Sequence, residues 1–267
     1  MSTSTTLNAS SAREVLYRNV RDFFYSHKIV EIKTALLSSH ELAHQSTILP
    51  IFEIQQLIAQ GRFAAFQISK RYREEFIDRR HRHEFTVLQL SQSDKNLNQI
   101  LLDLDLFLQA VFAGEFEPER RSFRQVFILR LGFDPDELSA ADLKQQACRL
   151  GLNVALGEDR LAWLKLMFIH FIEPTLGIDI PLYLTDLPSQ WRDSLYDGDI
   201  TINSNVDIFI DGIKVGSVLS EQLDHFEQLQ PNYNYQHVVF GLDRLLMIIL
   251  ETRQIEKVMG MEAKSRI

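Results

Sequence analysis

The chain reads as an α+β protein: an antiparallel sheet flanked by helices, with a helical segment set into it. Three observations carry that expectation. Residues 63–69 and 84–91 alternate apolar and polar side chains on either side of a basic turn at 77–82, as two half-buried strands would. Residues 206–210 and 213–219 flank Asp211-Gly212, a dipeptide favoured in two-residue hairpins because both positions require positive φ. Between these strand regions, residues 96–177 keep a helical pattern interrupted by Gly132, Gly151 and Gly157.

Taken in order, residues 1–11 are rich in Ser and Thr and lack both basic residues and an apolar run, so a disordered lead is expected, not a signal peptide. Ser11-Ala12-Arg13-Glu14 has the spacing of a capping box, and Leu16, Val20, Phe23, Phe24 and His27 follow at helical intervals. A strand is expected over 29–37 and a short helix over 51–60, ended by Gly61. After the basic hairpin, 96–113 is a strongly apolar helix, and Trp163, Met167, Phe168 and Phe171 form the core stripe of a later one. Residues 181–187 and 238–240 are strands, the second running into Gly241 and a helix over 242–250. Neither repeats nor Pro/Gly-rich linkers break the chain. A single domain over 12–267, with a helical insertion over about 95–178, is therefore expected.

A formal net charge of -8 argues against a surface that coats nucleic acid. A single cysteine, Cys148, excludes an internal disulfide framework and points to a reducing cytoplasm; its partly apolar helical setting suggests a buried residue. No apolar run reaches the roughly 18 residues of a membrane span, so no membrane association is expected.

The chemistry concentrates at Arg71-Tyr72-Arg73-Glu74-Glu75 and His81-Arg82-His83-Glu84-Phe85-Thr86. A hairpin with guanidinium groups and an aromatic ring can hold a nucleotide, the first on phosphate and the second on the base. Asp243-Arg244, on a helix that opens after Gly241, can return a second arginine toward the same phosphates. His81 and His83 share a strand face but have no third ligand at zinc spacing, so no metal site is expected. Arg79-Arg80-His81-Arg82 reads as a solvated turn rather than an RNA grip.

In order and spacing, the hairpin resembles motif 2 of the class II aminoacyl-tRNA synthetases, and Gly241-Leu242-Asp243-Arg244-Leu245 resembles their motif 3. The likeness is nearest to lysyl-tRNA synthetase catalytic domains, and above all to their short paralogue that ligates lysine to elongation factor P without an anticodon-binding domain. It runs from about Arg13 to Met259 and is specific at Phe66–Glu75, His81–Leu88, Thr185–Pro188 and Gly241–Leu245. The resemblance implies a class II fold, ATP as a ligand, a homodimer, and a protein acceptor such as elongation factor P in place of tRNA. It also implies roles. Arg73 would bind the α-phosphate, Glu75 the adenine amino group, and His81 the terminal phosphates; Phe85 would stack on adenine and Arg244 lie against the γ-phosphate.

The same resemblance exposes departures on the amino-acid and metal side. Where the family has a Glu-Leu-Ala-Asn-Gly-Phe-like strand, this chain has Lys214-Val215-Gly216-Ser217-Val218-Leu219. Lys214 replaces a metal-binding carboxylate, which argues against Mg²⁺ or makes the ammonium its stand-in. Gln89 replaces a glutamate, and His237 and Val239, before Gly241, replace small residues that leave room for a substrate. Leu49-Pro50-Ile51 stands where Ser-Pro-Glu is expected, and Ala35 where motif 1 has proline. Two functions stay open: a ligase that adenylates a small acid, with Arg73, Arg244 and Lys214 catalytic, or a non-catalytic paralogue keeping a nucleotide-binding or partner-binding shell.

Overall fold

The computed structural model describes residues 3–33, 64–72, 82–188, 191, 202–222 and 234–259. The chain divides into two compact units, one of residues 1–116, 195–204 and 215–267, the other of 117–194 and 205–214. Among the described residues there are six α-helices and eight strands. The strands hydrogen-bond in the order β1-β2-β3-β8-β7-β6-β5-β4. The expected strand at 29–37 is described only to residue 33, and the helix at 51–60 lies outside the described residues, as do Ala35 and Leu49-Pro50-Ile51.

In the first unit, α1 (Thr3–Ser26) leads to β1 (Val30–Glu31), β2 (Ala64–Tyr72), β3 (Glu84–Gln92) and α2 (Leu97–Phe112). The later part of β7 (Ile213–Gln222), β8 (Asn234–Gly241) and α6 (Leu242–Ile249) complete it. The segment read as a disordered lead is helical from Thr3, so the capping-box residues Ser11 and Glu14 lie inside α1. Ala9 is buried and extends the face that Leu16, Val20 and Phe24 bury, which gives the earlier turns something to pack on. Phe24 stacks on Phe66 of β2 at 4.6 Å and on Phe107 of α2 at 5.5 Å, and Phe107 meets Phe240 of β8 at 5.2 Å. α2 begins with a reciprocal capping box, Asn96 to Gln99, and ends at Ala113 in the left-handed region.

In the second unit, β4 (Glu119–Ser122) and α3 (Phe123–Leu131) precede α4 (Ala140–Arg149), α5 (Arg160–Met167), β5 (Leu182–Thr185) and the later part of β6 (Ile202–Ile210). Trp163, Met167 and Phe168 are buried in a core with Phe123, Phe127, Leu184 and Phe209, and Phe171 packs against it, as the stripe implied. Cys148 is exposed rather than buried, because Leu143 and Ala147 take the inward face of α4. At the β6–β7 turn Asp211 and Gly212 both have positive φ, the geometry that Asp-Gly favours.

The sheet is mixed, not purely antiparallel. β1 pairs with β2 and β4 with β5 in parallel, while β2–β3, β3–β8, β5–β6 and β7–β8 are antiparallel. The parallel pairs involve the edge strands and join segments far apart in the chain, which long crossovers permit. β4 itself, of sequence Glu-Arg-Arg-Ser, carries no period-two signal and falls in a stretch expected to be helical. No helix among the described residues is long and apolar enough to cross a membrane.

Candidate functional site

Strand register gives the sheet of the first unit two unlike faces. Cross-strand partners share a face, and residues two apart along a strand return to it. One face carries Phe66, Leu90, Val238 and Val218 in a row, then Ile68, Leu88 and Phe240, toward the aromatic core of α1 and α2. Gly216 pairs with Phe240 there; a Cβ on it would meet the Val239 carbonyl oxygen at 2.6 Å and the Phe240 ring at 2.7 Å.

The opposite face is polar. Gln67, Gln89, Val239 and Ser217 form one row across four strands; Ser91 pairs with His237 in the next, and Arg71 with Phe85 at the other end. The register thus brings together Phe85, Gln89, Ser217, His237 and Val239, which the chain order scatters over more than 150 positions, with Gly241 opposite Val87. Arg73, Glu75 and His81 lie outside the described residues.

These polar groups are buried and bonded to one another. The Gln89 Oε1 accepts from Gln67 Nε2 at 2.7 Å and from Arg71 Nη2 at 2.9 Å, so both its lone pairs are taken. Ser91 Oγ lies 2.9 Å from His237 Nδ1, and the His237 Nε2 meets no hydrogen-bonding partner among the described residues. Burial, helped by the nearby positive charge of Arg71, pushes the His237 pKa down from 6.5 to about 3, which keeps the ring neutral at physiological pH. On the helix-packed face, Lys70 and Tyr72 both bond Glu84, so Tyr72 belongs with that exposed cluster and not with the polar row.

α6 is fastened to this sheet by Asp243. Its Oδ2 accepts from the Thr86 backbone N–H at 2.6 Å and its Oδ1 from Arg13 Nη1 at 2.8 Å. Arg13 also reaches Tyr17 at 3.0 Å and the Val258 carbonyl. Burial pulls the Arg13 pKa down, but Asp243 and Tyr17 outweigh it and the net shift is upward. Asp243, the residue before Arg244, is therefore bonded to the residue after Phe85. Arg244 is half-buried, and its side-chain carbons lie 3.6–3.7 Å from where a Cβ on Gly241 would stand.

Lys214 belongs to the second unit, where its Nζ lies 2.9 Å from Oδ2 of buried Asp207 across the β6–β7 hairpin. The sequence reading did not single out Gln67, Ser91, Asp207 or Arg13. For Gln67 and Ser91 the signal was present: polar residues recur at one parity inside otherwise apolar strands, in phase with Arg71 and Gln89. For Arg13 and Asp207 there was none, since each is defined by a distant or cross-hairpin partner.

No family model matches the chain. Curated proteins do. The elongation factor P–(R)-β-lysine ligase of Vibrio vulnificus is 26% identical over 300 residues, covering 92% of this chain and 93% of that protein. The proteins of the same name from Photobacterium profundum and Buchnera aphidicola are 26% and 23% identical, over 92% and 93% of this chain. The first alignment is longer than the 267 residues here, so that relative carries residues inside the matched region that have no counterpart in this chain. The resemblance drawn from the basic hairpin and from Gly241-Leu242-Asp243-Arg244 thus stands over nearly the whole length: the chain is a relative of the proteins named elongation factor P–(R)-β-lysine ligase.

Proposed function

We propose that this protein is an ATP-dependent ligase of the class II synthetase-like type, which adenylates a small amino or carboxylic acid and passes the acyl group to a protein acceptor of the elongation factor P kind. The observation that carries this reading is the polar sheet face on which Phe85, Gln89, Ser217, His237 and Val239 converge, fastened through Asp243 to the first turn of α6. The names and coverage of the relatives support the reaction class and the acceptor.

Arg73 and Arg244 are assigned to the phosphates, Glu75 to the adenine amino group, His81 to the terminal phosphates, and Phe85 to the adenine ring. Two guanidiniums neutralise the triphosphate as an acid oxygen attacks the α-phosphorus and pyrophosphate leaves. Attack by the acceptor nucleophile on the acyl carbonyl then releases AMP. Gln89, Ser217, His237, Val239 and Gly241 bound the acid. An ammonium paired with Asp207 does not fit a Mg²⁺ donor set at Lys214, and no step is routed through a metal there.

Residues 12–267 are taken as one catalytic domain with a helical insertion over about 95–178, working as a homodimer through α1 and the strand at Ile29, in the cytoplasm and without tRNA. Isothermal calorimetry tests the nucleotide assignment. Wild type is expected to bind ATP, and Arg73→Ala to bind it at least tenfold more weakly, since charge-assisted hydrogen bonds contribute roughly 1.5–3 kcal/mol each. Equal affinities, or no ATP binding by wild type, would remove the assignment.

The Lys214–Asp207 pair favours a second reading, a non-catalytic paralogue in which an internal cation closes the metal position. Pyrophosphate exchange separates the two. A working lysine is lost in Lys214→Ala, whereas exchange that appears only in Lys214→Glu identifies a disabled ligase.

A further inference from the structure

Phe85 and Arg244 stand on different elements, so something must set the start of β3 against the start of α6. Backbone pairing does not reach that far. β3 and β8 are in register as far as Val87 and Gly241. One step further the residue opposite Thr86 is Leu242, which already belongs to α6, so on that side the ladder stops short of Phe85. The Thr86 N–H is taken instead by the Asp243 carboxylate, at 2.6 Å. Arg13, on α1, donates to the other oxygen of that carboxylate at 2.8 Å and reaches the Val258 carbonyl with its second terminal nitrogen. Val258 is buried and follows a short 3-10 turn, Ile255–Lys257, in which Ile255 is buried too. Glu256 of the same turn pairs with Arg82, just before β3. One guanidinium thus joins α1, α6 and the C-terminal turn, and the network grips β3 on both sides of Phe85, at Arg82 and at Thr86. A planar fork can meet these partners at once, whereas an ammonium offers no such fixed geometry.

Resting on the ligase reading above, we infer that Arg13 and Asp243 are positioning residues for the nucleotide. Arg13 acts through Asp243, and Asp243 acts through its bond to Thr86 and its peptide link to Arg244. Together they set the ring assigned to adenine against the guanidinium assigned to the γ-phosphate. Both groups must meet one ligand, and a displacement of about 1 Å between such groups can cost up to about a hundredfold.

The test is isothermal calorimetry with ATP on wild type, Arg13→Ala, Arg13→Lys, Asp243→Asn and Leu104→Ala, at a temperature where circular dichroism shows each protein folded. Leu104 is a buried residue of α2 outside this network, so its truncation destabilises the same unit by a different route. Arg13→Ala is expected to bind ATP about tenfold more weakly than wild type, with Arg13→Lys between the two and Leu104→Ala unchanged. Asp243→Asn keeps an acceptor for Thr86 and loses the charge that holds Arg13, so a loss of about threefold is expected, and it carries the test if Arg13→Ala does not fold. Wild-type affinity in Arg13→Ala, or in Asp243→Asn where that variant carries the test, would overturn the inference and leave the ligase reading intact. So would a Leu104→Ala protein weakened as much as the network variants. A wild type that binds no ATP would overturn both.

Discussion

Removing the Asp243 carboxylate is the sharpest structural test of how α6 is held beside β3. In Asp243→Ala the Thr86 N–H loses its acceptor, and a partly buried donor left unsatisfied costs about 1–3 kcal/mol. Arg13 loses its counter-ion as well. A fully buried pair broken on one side costs about 3–5 kcal/mol, but the Arg13 side chain is 22% exposed and keeps Tyr17 and the Val258 carbonyl. The two losses together are expected to destabilise the fold by about 3 kcal/mol. At about 2–4 °C per kcal/mol for a chain of this size, that lowers Tm by roughly 6–12 °C. Asp243→Asn keeps an acceptor for Thr86 and loses only the charge, so about 1–2 kcal/mol is expected. Urea denaturation and calorimetric melting of the three proteins would check the ordering. An alanine variant within about 0.5 kcal/mol of wild type, or an asparagine variant as damaged as alanine, would refute the latch.

Other outcomes follow from the same geometry. His237 stays neutral in the folded protein down to about pH 3 but titrates near 6.5 when unfolded, so only the unfolded chain takes up its proton between these values. Stability is then lost as pH falls below 6.5, by about 1.4 kcal/mol per pH unit, and urea midpoints of His237→Gln should lack that component. Gly216→Ala drives a methyl group into the Val239 carbonyl and the Phe240 ring, and about 1–3 kcal/mol of overpacking cost should appear in denaturant titrations. Lys214→Ala takes the cation away from the buried Asp207 carboxylate. A loss of about 2–4 kcal/mol is expected, smaller in Lys214→Ala/Asp207→Asn than in the single variant, and a double-mutant cycle reads the difference.

What the sequence by itself determined is local. The Asp211-Gly212 hairpin, the capped helix beginning at Asn96 and the Trp163–Met167 stripe depend on residues within a few positions of one another, and each stands where its spacing put it. The basic hairpin and Gly241-Leu242-Asp243-Arg244 were likewise legible as a family likeness, because a motif is a short string. The tertiary structure decided what depends on partners far along the chain. β4 has no strand signal of its own and exists through its parallel pairing with β5. Cys148 faces outward because its neighbours on α4, not its own chemistry, claim the core. Asp243, which the sequence offers as a neighbour for Arg244, is instead bound to Arg13, 230 positions away. Gln89 shows the same division most plainly. Its replacement of a glutamate was readable from the resemblance, but only the β2–β3 register sets Gln67 and Arg71 on its carbonyl oxygen.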